Sequence, residues 1–231
     1  MFTIIVTMRI LNLKNLAISL GLILMLLQSA SADETELCAP FKNSNVDESI
    51  MAEMLSAAKD GHLYRIQSAS SRVGFCVDSS IGEVKGEFKT FEGGLTMQPR
   101  KASEKGRVMM IVDTASLETS GAFIESLLKS ESFFDIENFP EIMFVSTGFE
   151  WVSKTEAVLI GDLTMHGITK KVGFHVQLIE SDEVNKDGAQ IIVVKASTLI
   201  HRSEFGIYTM SKLVSDSVNL CMSVDAVKVK S

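Results

Sequence analysis

From residue 62 onward, apolar and polar positions alternate with a period of two, the signature of half-buried strands. Leu63–Ile66 begins the pattern. In Arg72–Asp78, Val73, Phe75 and Val77 face one way while Arg72, Gly74 and Cys76 face the other. Glu83–Thr96 repeats it through Val84, Gly86 and Phe88, with Gly93-Gly94 marking a bend or bulge. Gly106–Asp113 is strand-like but apolar on both faces, and Ile142–Phe149, Glu156–Met165, Lys171–Ile179, Ala189–Ile200 and Val214–Val229 complete the series. Two stretches have helical spacing instead. Asn45–Lys59 places Val46, Ile50, Met54 and Leu55 on one face, with Asn45 as N-cap and Gly61 after the last turn, and is expected to cover one end of the domain. Gly121–Ser130 is amphipathic through Phe123, Ile124, Leu127 and Leu128. The pattern predicts an all-β fold: an antiparallel eight-stranded barrel with a short helical insertion and an N-terminal helix. A barrel of that size holds one small ligand or fills with side chains. The insertion, 114–140, is expected to lie across a barrel mouth, as lid or as plug.

The N-terminus reads differently. Arg9 and Lys14 precede the apolar run Leu16–Leu27, and Gln28-Ser29-Ala30-Ser31-Ala32 follows, so residues 1–32 are expected to be a cleaved signal peptide. The run is too short to span a bilayer, and Met8 offers an alternative start. A lipid-modified Cys38 is not expected, because Thr35, Glu36 and Leu37 precede it. The organisation is then a leader (1–32), an extension with a helix (33–61) and a barrel domain (62–231), exported to the periplasm. The chain's net charge of −7 becomes more acidic once Arg9 and Lys14 leave, which excludes an electrostatic footprint for nucleic acid or anionic membranes.

Catalytic and metal chemistry find little support. The chain lacks a nucleophile elbow, a P-loop and a paired-carboxylate motif, and Asp135, Glu137 and Glu141 fall on a loop. His62, His166, His175 and His201 have no ligand spacing, so no metal and no resident cofactor are expected, and His166 is read as ending a hairpin. Three cysteines, Cys38, Cys76 and Cys221, leave one thiol over if a disulfide forms. Cys76 and Cys221 both point outward by parity on the first and last strands, which must adjoin for a barrel to close. A Cys76–Cys221 bridge is therefore expected, against pairing with Cys38 or no bridge.

Four motifs stand in a recognisable order. Phe133-Phe134-Asp135-Ile136-Glu137-Asn138-Phe139-Pro140-Glu141-Ile142-Met143-Phe144 resembles the FFD-x-x-x-[YF]-P-x-[IA]-x-F segment of the YceI-like family. Gly161-Asp162-Leu163-Thr164-Met165-His166-Gly167-Ile168-Thr169-Lys170 resembles its G-x-L-T-[ILM]-H-G-V-T-[KR] hairpin. His201-Arg202-Ser203-Glu204-Phe205-Gly206 resembles its x-R-x-D-[FW]-G element, and Ser116-Leu117-Glu118-Thr119 its S-[IV]-x-T turn. The resemblance covers about 62–229. It departs at Phe75-Cys76-Val77-Asp78-Ser79-Ser80, where the family usually carries a histidine and hydroxyl pattern, and at Glu204. It implies a lipocalin-like barrel in the periplasm whose interior binds a polyisoprenoid or isoprenoid quinone, and it points to a homodimer as one oligomeric state.

An isoprenoid tail needs a dry apolar tunnel with few polar groups at its mouth. Val73, Phe75, Phe88, Phe144, Leu163, Met165 and Phe174 share the inward parity, as do Val84, Ile142, Val172 and Val176, and Phe205 follows from the resemblance. Glycines 74, 86, 161 and 173 are read as leaving a hollow. Arg202 is the polar candidate, holding a headgroup through forked hydrogen bonds or locking the barrel by pairing with Asp162 or Asp216. The expected function is carriage of an isoprenoid-type lipid without catalysis. The alternatives are an enzyme on an isoprenoid substrate and a solid-core interaction module.

Overall fold

The computed structural model describes residues 48–97 and 106–229, apart from the side chains of 180–183. The leader, Cys38 and the Asn45 cap lie outside these residues. In chain order the elements are α1 (Glu48–Lys59), β1 (Leu63–Ile66), β2 (Arg72–Ser79), β3 (Gly82–Phe88), β4 (Phe91–Thr96), β5 (Arg107–Asp113), β6 (Leu117–Thr119), α2 (Ala122–Lys129), β7 (Glu141–Trp151), β8 (Glu156–Met165), β9 (Ile168–Val184), β10 (Gln190–His201) and β11 (Val214–Lys228). No helix among the described residues is long and apolar enough to cross a membrane.

The alternating runs form eleven antiparallel segments, of which β1, β4, β5, β7, β8, β9, β10 and β11 close an eight-stranded ring through the β1–β11 pairing. The excess over eight has a simple cause. The chain breaks briefly after β1, after β3 and after β5, the first and third times through short 3-10 turns at Ser68–Ser70 and Thr114–Ser116. The partner segments β2, β3 and β6 continue beside β11 at the other end of the barrel. There β6 pairs only with β3, so the wall stays open between β6 and β7.

Turn chemistry sets the register. Met165 pairs with Ile168 across a two-residue loop in which His166 (φ 53°) and Gly167 (φ 73°) are both left-handed. That is the type I′ geometry whose twist matches the flanking strands.

The N-terminal helix does not cover an end of the barrel. Met54 and Ala58 of α1 pack with Leu63, Met109, Ile111 and Val145 on the outside of the wall, and Arg107 Nε donates to Glu53 Oε2 at 2.7 Å. Met110, Val112 and Phe144, the neighbours of opposite parity, join the interior core instead. β5 is apolar on both faces because each face is covered, one by the interior and one by α1.

The glycines do not leave a hollow either. A Cβ on Gly86 would meet the Phe75 ring and lie 2.9 Å from Leu117 Cδ1; one on Gly161 would meet the Phe144 ring and lie 2.6 Å from the Val145 carbonyl oxygen. Both inward glycines are seats for aromatic rings from the neighbouring strand, while Gly74 and Gly173 point outward with the opposite parity. Replacing Gly161 with Ala is expected to lower the unfolding free energy by about 1–3 kcal/mol through overpacking. Urea denaturation reads this, and an unchanged midpoint would show that ring and carbonyl yield freely.

The expected Cys76–Cys221 bridge is not formed. Cys76 stands opposite Asn219 and Cys221 opposite Gly74, two residues out of register on the same outer face, and both thiols are free. Residues so offset lie diagonally, roughly 7–8 Å apart, beyond easy bridging. Burial, with the nearby Glu83 charge, pushes the Cys76 thiol up from its ordinary value, so at neutral pH its thiolate is scarcer. In native, non-reduced protein both cysteines should alkylate, exposed Cys221 ahead of Cys76. A cross-linked Cys76–Cys221 peptide in the map would overturn this register.

Candidate functional site

Inside the split end of the barrel lies a cavity of about 310 Å³. Strand parity places Val73, Phe75 and Phe88 on one side of it and Phe144, Leu163, Met165 and Phe174 on the other. Val84 and Ile142 also line it. Val172 is buried without reaching it, and Val176 lines a second, smaller chamber deeper in the barrel. Phe205 is fully buried but does not line the cavity.

Part of the wall was not assigned from sequence. The amphipathic face of α2, through Phe123, Ile124, Leu127 and Leu128, roofs the cavity where β6 and β7 part, and Phe133 and Phe134 follow it inward. The Phe134 ring sits between Phe75 and Phe88, 5.7 Å from each centroid. Asp135, next along, takes φ 48°, and Asn138 Nδ2 donates to both of its carboxylate oxygens at 3.0 Å, so the chain turns away as soon as Phe134 is delivered. The sequence places the 114–140 insertion across a barrel mouth, and α2 does lie over the split end; that it spans the gap between β6 and β7 is not readable there. Met110 and Val112 were hidden because β5 is apolar on both faces. Leu220 and Met222 could have been found from the same parity that turned Cys221 outward.

The mouth is apolar as well. Ile81 in the β2–β3 turn, Phe123 at the start of α2, and Met210 and Leu213 in the loop before β11 all line the cavity, yet are 80%, 77%, 44% and 52% exposed. The smaller chamber, about 70 Å³, shares Met110 and Met222 with the main one. A wider, more open depression of about 990 Å³ is lined by both polar and apolar residues of β2, β3, β9, β10 and β11, with a few from β6 and β8, and includes Cys76 and Cys221.

Arg202 reaches the cavity wall but spends its donors elsewhere. Its Nε–H donates to the Ser215 carbonyl at 2.9 Å, Nη1 to those of Ile207 and Thr209 at 3.1 and 2.7 Å, and Nη2 to that of Val214 at 3.1 Å. The guanidinium thus ties the 206–213 loop to the start of β11 through backbone carbonyls. Neither expected carboxylate partner is its hydrogen-bond acceptor. Asp162 pairs with Lys171 at 3.3 Å, and Asp216 accepts from the Ser203 backbone N–H at 2.9 Å and hydroxyl at 2.8 Å. Those two bonds hold the Asp216 carboxyl below the usual aspartate range, with smaller contributions from His201 and Arg202. Burial lowers the Arg202 guanidinium from its ordinary value, opposed by Asp216, and it remains a cation. His166 Nδ1–H donates to the Phe205 carbonyl at 3.1 Å, and its ring lies 4.5 Å from that of Phe139. The hairpin, the 133–144 segment and the Arg202 turn are thereby fastened to one another.

Replacing Arg202 with Met should lower stability by about 3 kcal/mol, because buried carbonyls lose charge-assisted donors. Thermal unfolding should show the loss; a melting point within a degree of the parent would assign the guanidinium to something other than holding this loop.

A family model of the YceI-like domain matches residues 64–226. A UPF0312 protein of Pseudomonas putida (strain GB-1) is 32% identical over 147 residues, which cover 64% of this chain and 75% of that protein. Among solved structures, Burkholderia cenocepacia BcnA superposes with a TM-score of 0.62 at 21% identity, covering 69% of this chain and 98% of that one. A polyisoprenoid binding domain from Saccharophagus degradans, implicated in plant cell wall breakdown, gives 0.53 at 13% identity, covering 71% and 98%. The two structural likenesses speak for the fold, and the family match spans nearly all of the barrel: the chain belongs to the YceI-like family.

Proposed function

We propose that the barrel carries an isoprenoid-type lipid, a polyisoprenoid or an isoprenoid quinone, with its tail in the main cavity and its polar end at the mouth. One observation carries this reading: the 310 Å³ cavity is lined by aliphatic, aromatic and methionine side chains, with Ser79, Ser80 and Arg202 its only polar side chains among the described residues. Its volume is at the small end of the range for bound small molecules, roughly 300–1,000 Å³. Burying each CH₂ contributes about 0.8 kcal/mol, so ten tail carbons supply roughly 8 kcal/mol before the costs of association.

Carriage rather than catalysis is favoured by the same wall. Among the described residues it presents no carboxylate, imidazole or thiol, and Arg202 has its hydrogen bonds committed to backbone. The headgroup role weighed for Arg202 falls instead to exposed Ser80, since the half-buried Ser79 hydroxyl already donates to the Gly82 carbonyl at 2.6 Å. Action in the periplasm rests on the leader pattern of residues 1–32 and on family membership.

Native mass spectrometry of the protein purified from bacterial envelopes, with extraction of whatever lipid it retains, tests the proposal. An isoprenoid-type mass should co-purify, and a water-soluble isoprenoid quinone analogue should bind the emptied protein. Phe123→Asp, at an exposed mouth position that folding tolerates, should weaken binding about tenfold by desolvating a charge against the tail. Phe144→Asp, opposite Phe174 at a centroid distance of 5.1 Å, should abolish it. Failure of the unsubstituted protein to hold either lipid or analogue would sink the proposal.

A further inference from the structure

The two interior chambers meet at two methionines. Met110 on β5 and Met222 on β11 are the residues that line both the main cavity and the smaller chamber below it. Register shows that they lie at the boundary. Met222 pairs with Val73, which lines the upper chamber, and with Ala196, which lines the lower. Met110 pairs with Phe144 of the upper chamber on one side and with Gly93 on the other, so on β4 no side chain flanks it. The two strands stand three steps apart around the ring, in the order β11, β1, β4, β5. Their side chains therefore enter the bore from different walls.

The type of residue matters as much as its place. Methionine is unbranched, flexible and polarisable, and it refits to whatever fills the space beside it. A β-branched or aromatic side chain at either position would be a fixed wall. Resting on the isoprenoid-carrier reading above, we infer that Met110 and Met222 form a displaceable stop that sets the accommodated tail length. Tails that fit the upper chamber bind without disturbing it. Longer tails push the thioethers aside and extend into the lower chamber.

The lower chamber carries its own reporter. Trp151, itself 41% exposed, lines it beside Phe149, with ring centroids 5.0 Å apart, and it is the sole tryptophan of the chain. Isoprenoid alcohols brominated at the end distant from the hydroxyl quench tryptophan only when that end comes close. The experiment measures Trp151 quenching by distally brominated farnesol, geranylgeraniol and solanesol, with binding of each scored separately by native mass spectrometry. In the unsubstituted protein the solanesol analogue should quench, while the farnesol analogue binds without quenching. The double variant Met110→Ala, Met222→Ala should let the geranylgeraniol analogue quench and raise affinity for long over short tails about tenfold. Met110→Phe with Met222→Phe should abolish quenching by the long tail, and a cooperative thermal unfolding transition shows that the variant is folded. Equal quenching by every length in the unsubstituted protein, or a length profile indifferent to both double variants, would overturn the stop. Should no alcohol bind at all, the carrier reading itself falls, a result that the mass spectra separate from the other two.

Discussion

β11 must satisfy hydrogen-bonding groups along both of its edges, and the way it does so shapes the rest of the molecule. One edge matches β10 without interruption from Ile191↔Val227 to His201↔Ser217. The other edge is shared, β1 taking the end near Val227 and β2 the stretch from Val214 to Ser223. An unpaired strand edge is both costly and prone to foreign pairing. By engaging β1, β11 closes the ring and removes that liability at one end. By engaging β2, it draws β3 and β6 outward and leaves a seam at the other. The same strand therefore seals the bottom of the barrel and opens its top.

The open seam needs cover, and the insertion between β6 and β7 supplies it. α2 lays its apolar face over the gap, and Phe134 enters between Phe75 and Phe88. The insertion is neither a plain plug nor a free lid, since it fills part of the interior and roofs what remains. What remains is an apolar space, not because side chains are missing but because large ones lean against inward glycines and away from the axis. Gly86 and Gly161 are the points where Phe75 and Phe144 lie back into the wall.

The residues that carry the family likeness are mostly fastenings. Gly167 lets the β8–β9 turn take its I′ geometry, His166 reaches the Phe205 carbonyl, Arg202 gathers four carbonyls, and Ser203 is held by Asp216. Together they anchor the hairpin, the 133–144 segment and the loop before β11. None supplies a free polar group to the cavity. The apolar wall draws partly on the same motifs, through Phe133, Phe134, Ile142, Phe144, Leu163 and Met165, and partly on strands outside them, so fastening and lining residues alternate within the motifs.

Much of this was legible along the chain. Period-two alternation located the strands, and parity alone put Val73, Phe75, Phe88, Phe144, Leu163, Met165 and Phe174 on one face, because a strand's side chains can only alternate. His166-Gly167 announced its hairpin, since few residues accept two consecutive positive φ values. What parity cannot state is what stands opposite. That β5 is apolar on both faces was visible, but only the packed structure showed α1 covering its outer side. The glycines marked places without side chains, and tertiary packing decided that neighbouring rings would occupy them. Outward parity brought Cys76 and Cys221 to one face of adjoining strands, whereas the two-residue offset that keeps their thiols apart depends on where β11 divides between β1 and β2. Arg202 could be seen as a buried cation in need of partners; its choice of carbonyls over carboxylates required a loop whose path no local pattern encodes. Periodicity is a property of neighbours along the chain and survives in the sequence, but register, closure and the shape of an enclosed space belong to residues far apart in it.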